Sequence, residues 1–522
     1  MVTDRRAETR QVGRLWARIF WSLSAYRLPV LVLFGVAFAA AAQPRMDVDL
    51  GWHLRTGQLI WDTGSIPHND PYSFTVAGQP WITHEWLSEV IMWPFYATWG
   101  HAGLMVLCST AIVLGLLFVY RQMRSDGTSL PLAAALLFLG GFSAWFIWGT
   151  RPLVVTLCLA PLYALLLRRW WLGSTRALLP LAPLMVIWVN LHGGYMFGLG
   201  LVAVYLLGGL AARWLPTEAP RGSLRSLAIV GTLCVVATLA NPNTYEILWY
   251  PFDTLTSAAM REYLGDWPSP NFHEIKYWPF GLMLTLFFVA AARDLRRMAV
   301  VDLLLVLALG GMALQSNRHV PLFALITTPV LARQIGALGP DLRSLLDQMG
   351  VVGAWQRANR PVVRSAVVTA ATWLILAAAY GLLGASVADS LSPKSIDRVQ
   401  QASYPVFATQ FIQEHRIQGR IYNAYNWGGY LVLNFYPEQR VFIDSRADVY
   451  RDSFIEEYLE TYYIRPRWRE TLDKYAVQFA LLENQGPLHI LLRTSAEWRE
   501  IYSDDVAVLL ERISPPAPES GR

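Results

Sequence analysis

The chain has 522 residues, of which 54% are hydrophobic and 16% charged, with 22 tryptophans and a mean hydropathy of +0.32, which excludes a soluble multidomain enzyme and identifies a chain whose solvent is lipid. The net charge of +5 does not point to nucleic acid, because the arginines are spread over short loops instead of clustered on one face. Cys108, Cys158 and Cys234 all lie in apolar segments, so neither a disulfide framework nor a zinc site is available.

Residues 1–27 contain Arg5, Arg6, Arg10, Arg14, Arg18 and Arg27 and are expected to form a cytoplasmic N-terminal segment. The first apolar run, Leu28 to Ala42, lacks a suitably spaced small-residue cleavage site and is read as a retained span. A long loop, 43–101, follows. It holds an amphipathic stretch from Trp52 to Trp61, a turn-rich stretch from Ser65 to Gly78, and an aromatic helix from His84 to Trp99 suited to headgroup depth. Six further apolar runs come next: Ala102 to Tyr120, Leu130 to Trp148, Pro152 to Leu167, Ala177 to Val189, Tyr195 to Ala212 and Leu227 to Ala240. After a second long loop, 241–277, the last four are Trp278 to Ala292, Ala299 to Leu314, Val320 to Ala332 and Ala366 to Val387. Runs of roughly 15–22 residues cross a ~30 Å hydrocarbon core with some tilt. The expected fold over 28–388 is therefore an α-helical polytopic membrane domain of about 11 spans.

The arginines test this count. Arg121, Arg124, Arg168, Arg169, Arg176, Arg213, Arg221, Arg225, Arg293, Arg296, Arg297, Arg333, Arg343, Arg357, Arg360 and Arg364 all fall on the side of the N-terminus. The loops on the other side, before the last span, hold only Arg45, Arg55, Arg151, Arg261, Lys276 and Arg318. The positive-inside rule then puts both long loops, and whatever follows the last span, on the outer face. Residues 389–522 are expected to be a small extracytoplasmic α/β domain. Its elements are helices near Pro405 to His415, Phe454 to Tyr462 and Pro466 to Tyr475, with strands at Arg420 to Tyr422, Arg440 to Ile443, Val477 to Leu482 and Val506 to Leu510.

The polar residues that hydropathy does not account for all land on that outer side: Asp47, Asp49 and His53; His84 and Glu85; Arg151; Asn190 and His192; Glu262 and Asp266; Arg318 and His319. Asp47 and Asp49 fit two readings, solvated loop carboxylates or a pair that holds a divalent cation or takes a proton from a hydroxyl nucleophile. His84 and Glu85 fit a helix N-terminus equally well. Arg151 and Arg318 fit headgroup anchors, yet two arginines against the positive-inside bias also suit an anionic ligand, for which guanidinium is the apt group. His192, before Gly193 and Gly194, is either a tight interhelical turn or a substrate contact.

Three motifs of the first loop, Asp47-Val48-Asp49-Leu50-Gly51-Trp52-His53, Ile66-Pro67-His68-Asn69-Asp70-Pro71-Tyr72-Ser73-Phe74-Thr75 and Trp81-Ile82-Thr83-His84-Glu85-Trp86-Leu87, resemble bacterial polytopic proteins related to the GT-C glycosyltransferases. The resemblance continues through Asn190-Leu191-His192-Gly193-Gly194, Asn241-Pro242-Asn243, Trp267-Pro268-Ser269-Pro270, Asn317-Arg318-His319, Asn426-Trp427-Gly428-Gly429-Tyr430 and Val441-Phe442-Ile443-Asp444-Ser445-Arg446, and so covers nearly the whole chain. It implies a multi-pass protein of the bacterial cytoplasmic membrane with an outer-face active site. It also implies a polyprenyl-phosphate-linked sugar as donor, a glycan, lipid or protein as acceptor, and a first-loop carboxylate as base or metal ligand. By that match Asp49 and Asp47 are the catalytic candidates and the ligands of a divalent cation such as Mg or Mn. His53, His84, Glu85, Arg151, His192, Arg318 and His319 are the substrate-binding candidates. No nucleotide cofactor is expected, since no Gly-rich phosphate loop is present. The competing readings are a non-catalytic scaffold of the same fold and a transporter or flippase of lipid-linked glycans. A transporter would carry ionisable residues at bilayer depth in several spans, where Asp302 is the one clear case. The C-terminal domain is expected to be accessory, covering the outer cavity or binding acceptor.

Overall fold

A computed structural model describes residues 27–256, 267–294, 298–337 and 366–513. The N-terminal arginines before Arg27, Arg261, Glu262 and Asp266, Arg296 and Arg297, and Arg343 to Arg364 lie outside the described residues.

The membrane part begins with α1 (Leu28–Ala41), followed by the loop helix α2 (Leu50–Thr63) and the 40-residue α3 (Trp86–Ser125). Then come α4 (Leu130–Ala144), α5 (Leu153–Trp171), α6 (Leu181–Leu191), α7 (Tyr195–Ala211), α8 (Leu224–Thr238), α9 (Glu246–Thr256), α10 (Trp278–Asp294), α11 (Val300–Gln315), α12 (Val320–Ala337) and α13 (Ala366–Ser390). Among the described residues, six helices are long and apolar enough to cross a membrane, and five shorter apolar helices accompany them. Together they provide one helix for each expected run. The aromatic loop helix and the span after it are fused into α3, but Gly100 interrupts the helix at φ 60° and ψ −152°, a conformation that side chains with a Cβ avoid. The two predicted pieces therefore meet at a break.

The core of the bundle is built from large side chains, including Trp170, Trp171, Trp188, Tyr163, Tyr205 and Phe323. In lipid such packing gains dispersion energy instead of relief from water, which explains why α13 leaves Val367, Leu374 and Leu382 more than 70% exposed.

After α13 the chain forms α14 (Pro393–Ser403), α15 (Val406–Glu414), β1 (Ile421–Asn423), α16 (Gly428–Phe435), α17 (Ala447–Tyr462), α18 (Trp468–Lys474), β2 (Phe479–Glu483), α19 (Pro487–Thr494), β3 (Trp498–Ser503) and β4 (Ala507–Arg512). The four strands lie in the order β1-β2-β4-β3, with β1 parallel to β2 and the other pairs antiparallel. One predicted strand is corrected. Arg440 to Ile443 stays outside the sheet and pairs with the first loop instead, through Val441 N–H to the Tyr72 carbonyl at 3.0 Å and Phe74 N–H to the Val441 carbonyl at 3.1 Å.

That pairing belongs to a second hydrophobic core, in which Trp52, Tyr72 and Trp81 of the loop pack with Tyr422, Phe442, Tyr458 and Leu481. At its centre Arg446 is wholly buried. It donates to Asp444 from Nε (2.8 Å) and Nη2 (2.7 Å), and to Asp70 of the loop from Nη2 at 2.5 Å. Its guanidinium also lies over the rings of Tyr72 and Trp81 at 4.9 and 4.5 Å.

Candidate active site

Asp49 stands at the junction where the extended segment after α1 turns into α2. Its main-chain N–H donates to Asp47 Oδ1 at 3.0 Å, and its own Oδ1 accepts from the Trp52 indole at 3.3 Å. The same Trp52 indole also donates to the hydroxyl of Ser445, from the C-terminal part, at 3.0 Å. Burial first, and the neighbouring Asp47 charge second, push Asp49 up to about 7. Asp47 has a counter-charge of its own, since its Oδ2 lies 3.3 Å from Nη1 of Arg151.

Glu85, at the entrance of α3, is the centre of a second group. Its Oε2 is 3.4 Å from His53 Nε2, and its Oε1 is 3.2 Å from His84 Nε2 and 3.4 Å from His192 Nε2. The tautomer of His192 follows from its neighbours. Gly194 N–H donates to Nδ1 at 2.8 Å, so the ring proton sits on Nε2 and faces Glu85. Thr156, 2.7 Å from that Nδ1 and holding the Trp188 indole at 3.0 Å, fixes the ring plane.

Burial pushes His53 and His192 down to about 4 against the pull of Glu85. Burial also opposes the charge on His84, but the carboxylate of Glu85 outweighs it and raises His84. For Glu85 burial alone would raise the pKa; His84 and its companions hold it well below the usual carboxylate range. The group is thus a carboxylate with two imidazoles that burial keeps neutral and a third that the carboxylate draws toward its charged form.

Beside this group lies a cavity of about 430 Å³, polar at His84, Glu85, His192, Arg318 and His319 and apolar where α5, α7, α11 and α12 form its walls. Arg318 rests over Trp267 at 4.7 Å, and the His84 ring lies 4.4 Å from Tyr250. His319 has its Nδ1 3.3 Å from the Met312 carbonyl and its ring 5.6 Å from Phe197.

The structure therefore sorts the sequence-derived residues into two adjoining groups. Glu85, His84, His192, Arg318 and His319 line the cavity, whereas Asp47, Asp49, His53 and Arg151 are not among its lining residues. Trp52 joins the two, bonded to Asp49 and with its ring 3.6 Å from that of His53. Asn190 and Asn241 brace the same end: Asn190 accepts from the Trp86 indole at 2.7 Å and from Asn241 at 3.3 Å.

At Asp47 and Asp49, the expected cation ligands, Asp47 gives one oxygen to the Asp49 N–H and the other to Arg151, and Asp49 gives one to Trp52. Among the described residues no group of three or more His, Cys, Asp or Glu side chains has the geometry of an ion site.

Sequence reasoning missed four residues here. Glu89, whose Oε1 is 3.0 Å from His53 Nδ1, was legible as the i+4 partner of Glu85 on one helix face. Thr156, Tyr250 and Ser445 gave no signal of their own.

No protein-family model and no characterised sequence matches the chain. Solved structures do. The archaeal oligosaccharyltransferase AglB from Archaeoglobus fulgidus, in complex with an inhibitory peptide and a dolichol-phosphate, superposes over 92% of this chain and 74% of its own with a TM-score of 0.52 at 11% identity. ArnT from Cupriavidus metallidurans in the apo state superposes over 97% of this chain and 100% of its own, with a TM-score of 0.51 at 13% identity. At such identities the likeness is one of fold, and with the eleven apolar helices and the small C-terminal sheet it makes this chain a multi-pass membrane protein resembling the GT-C glycosyltransferases.

Proposed function

We propose that the protein is a membrane glycosyltransferase that moves a sugar from a polyprenyl-phosphate donor to an acceptor on the outer face of the membrane, with inversion. The observation that carries this reading is the pairing of Asp49, raised to about 7, with a nearby cavity that is apolar in its depth and cationic at Arg318 and His84. A lipid phosphate has the same two halves. AglB, of similar fold, was solved with a dolichol-phosphate, and the arginine distribution supports the outer face.

In this reading Asp49 accepts the proton of the acceptor hydroxyl as its oxygen attacks the anomeric carbon, and the bond from that carbon to the phosphate oxygen breaks. Arg318 and the imidazolium of His84 stabilise the departing phosphate, and the Nε2–H of His192 holds Glu85 in place beside them. Glu85 keeps His84 charged, while Arg151 neutralises Asp47 so that Asp49 is not raised further. No step is assigned to a divalent cation.

The test uses the full chain in lipid nanodiscs with a set of polyprenyl-phosphate-[14C]hexoses, reading transfer of label from lipid to water. Turnover by the wild type is expected to rise with pH through about 7, and Asp49→Asn to lower it by about 10²- to 10⁴-fold. Undiminished turnover by Asp49→Asn overturns the base assignment. Passage of lipid-linked glycan across vesicle bilayers, with no donor consumed, replaces the enzyme by a transporter.

A further inference from the structure

Besides Arg151 and Trp52, the segment that carries Asp47 and Asp49 is held by side chains and backbone from the far end of the chain. The Tyr404 hydroxyl donates to the Asp47 carbonyl at 2.7 Å, and its ring stacks on Tyr430 at 4.7 Å. The Val48 carbonyl faces Gly429 so closely that a Cβ there would sit 2.4 Å from it, and a Cβ on Gly51 would sit 2.1 Å from the Gly429 carbonyl. Glycine is required on both sides of this contact, which gives the Trp427-Gly428-Gly429-Tyr430 motif its reason. The Ser445 hydroxyl links two groups: it accepts at 3.0 Å from the Trp52 indole, which also donates to Asp49 Oδ1, and it donates to the Val48 carbonyl at 3.2 Å. The adjoining Arg446, locked to Asp444 and Asp70, fixes where that hydroxyl stands.

We infer that the C-terminal part is a working piece of the site and not an accessory cover: Ser445 is a positioning residue that aims the Asp49 carboxylate, and Tyr404 holds the backbone beneath it. The inference rests on Asp49 being the base. It goes beyond that reading in assigning part of the chemistry to residues about 400 positions away, a separation of 397 between Val48 and Ser445.

Two readouts separate the inference from the reading beneath it. In hydrogen exchange of the full chain in nanodiscs, the peptide spanning residues 46–52 is expected to exchange faster in the Tyr404→Phe, Ser445→Ala double variant than in the wild type, with the melting temperature unchanged. In turnover of polyprenyl-phosphate-[14C]hexose, Ser445→Ala is expected to lower kcat about tenfold without changing KM, the size of one lost hydrogen bond, and Ser445→Thr to restore most of it. Unchanged exchange in the double variant overturns the inference whatever the activity. So does a Ser445→Ala enzyme with wild-type kcat, or a Ser445→Thr enzyme as impaired as the alanine variant. Faster exchange in the double variant, together with full activity of Asp49→Asn, leaves the clamp standing and removes the base.

Discussion

Two buried clusters of charge lie at opposite ends of α3, and they are built on different principles. At the end past Gln122, Asp126 accepts from Arg168 Nε at 3.0 Å and from Arg333 Nη1 at 2.6 Å, and Arg333 turns its other side to Asp302 at 2.5 Å. Two acids and two bases neutralise each other there, tying α3, α5, α11 and α12 together. Asp302, the one ionisable residue that sequence placed at bilayer depth, is thus paired. At the other end Glu85 gathers three histidines, of which two are neutral, against an open cavity. Burial of charge is common to both; what distinguishes a candidate site is that neutral imidazoles able to take a proton remain beside the charge and that the group borders space.

The largest effect expected from breaking this contrast is at the closed cluster. Asp126→Leu leaves two buried guanidiniums without their shared acid and should cost about 3–5 kcal/mol of stability, read as a drop in thermal melting in nanodiscs, whereas Glu85→Gln at the open end should melt close to the wild type. Equal losses would erase the distinction.

Next in size is the response to pH. His53 and His192 have folded pKa values near 4 against ~6.5 unfolded. Between those values the unfolded chain binds more protons, so stability rises with pH in that window and is lost on acidification. Going from pH 7 to pH 5 should cost about 2 kcal/mol for each histidine. The raised pKa of His84 acts in the opposite sense, since its contribution is fully present at low pH and is lost as pH rises. Melting followed from pH 7 to 5 should therefore fall in the wild type, flatten in His53→Gln and His192→Gln, and keep the wild-type slope in variants of the closed cluster, which retain both histidines.

The smallest expected effect sharpens the role of the open cluster. Glu85→Gln removes the charge that keeps His84 protonated, and should lower donor turnover about tenfold, equivalent to about 1.4 kcal/mol, with a rise in the KM of the lipid-phosphate donor. A change in kcat alone would move Glu85 from phosphate binding to the chemistry itself.

The bundle was legible because hydropathy is a local signal: each apolar run announces itself within about 20 residues. The break at Gly100 was legible for the same reason, as two differently patterned helices. The C-terminal part resisted where local signals mislead. Gly428 and Gly429 argue against a helix by propensity, yet α16 starts there because only glycine permits the approach of Val48 and Asp444. Val441-Phe442-Ile443 has the composition of a central strand, but its apolar side chains serve the core shared with the first loop. The edge strand β3 carries Arg499 and Glu500, exposed charges that hide a strand from pattern reading while protecting an open edge. The titratable residues of the site were visible as exceptions to hydropathy, but which of them touch was not, because pairs such as Asp70 with Arg446 depend on tertiary closure and leave no period in the sequence.

The core that the first loop shares with the C-terminal part also has a consequence for biogenesis. During synthesis Trp52, Tyr72 and Trp81 leave the ribosome well before Arg446, which lies 376 residues after its partner Asp70. At about 5–20 residues per second the interval is on the order of 20–75 seconds. Throughout it the loop aromatics have no core to enter and Asp70 has no cation. A nascent or truncated chain thus displays an unpaired acid among exposed indoles, and both are covered only when Arg446 docks.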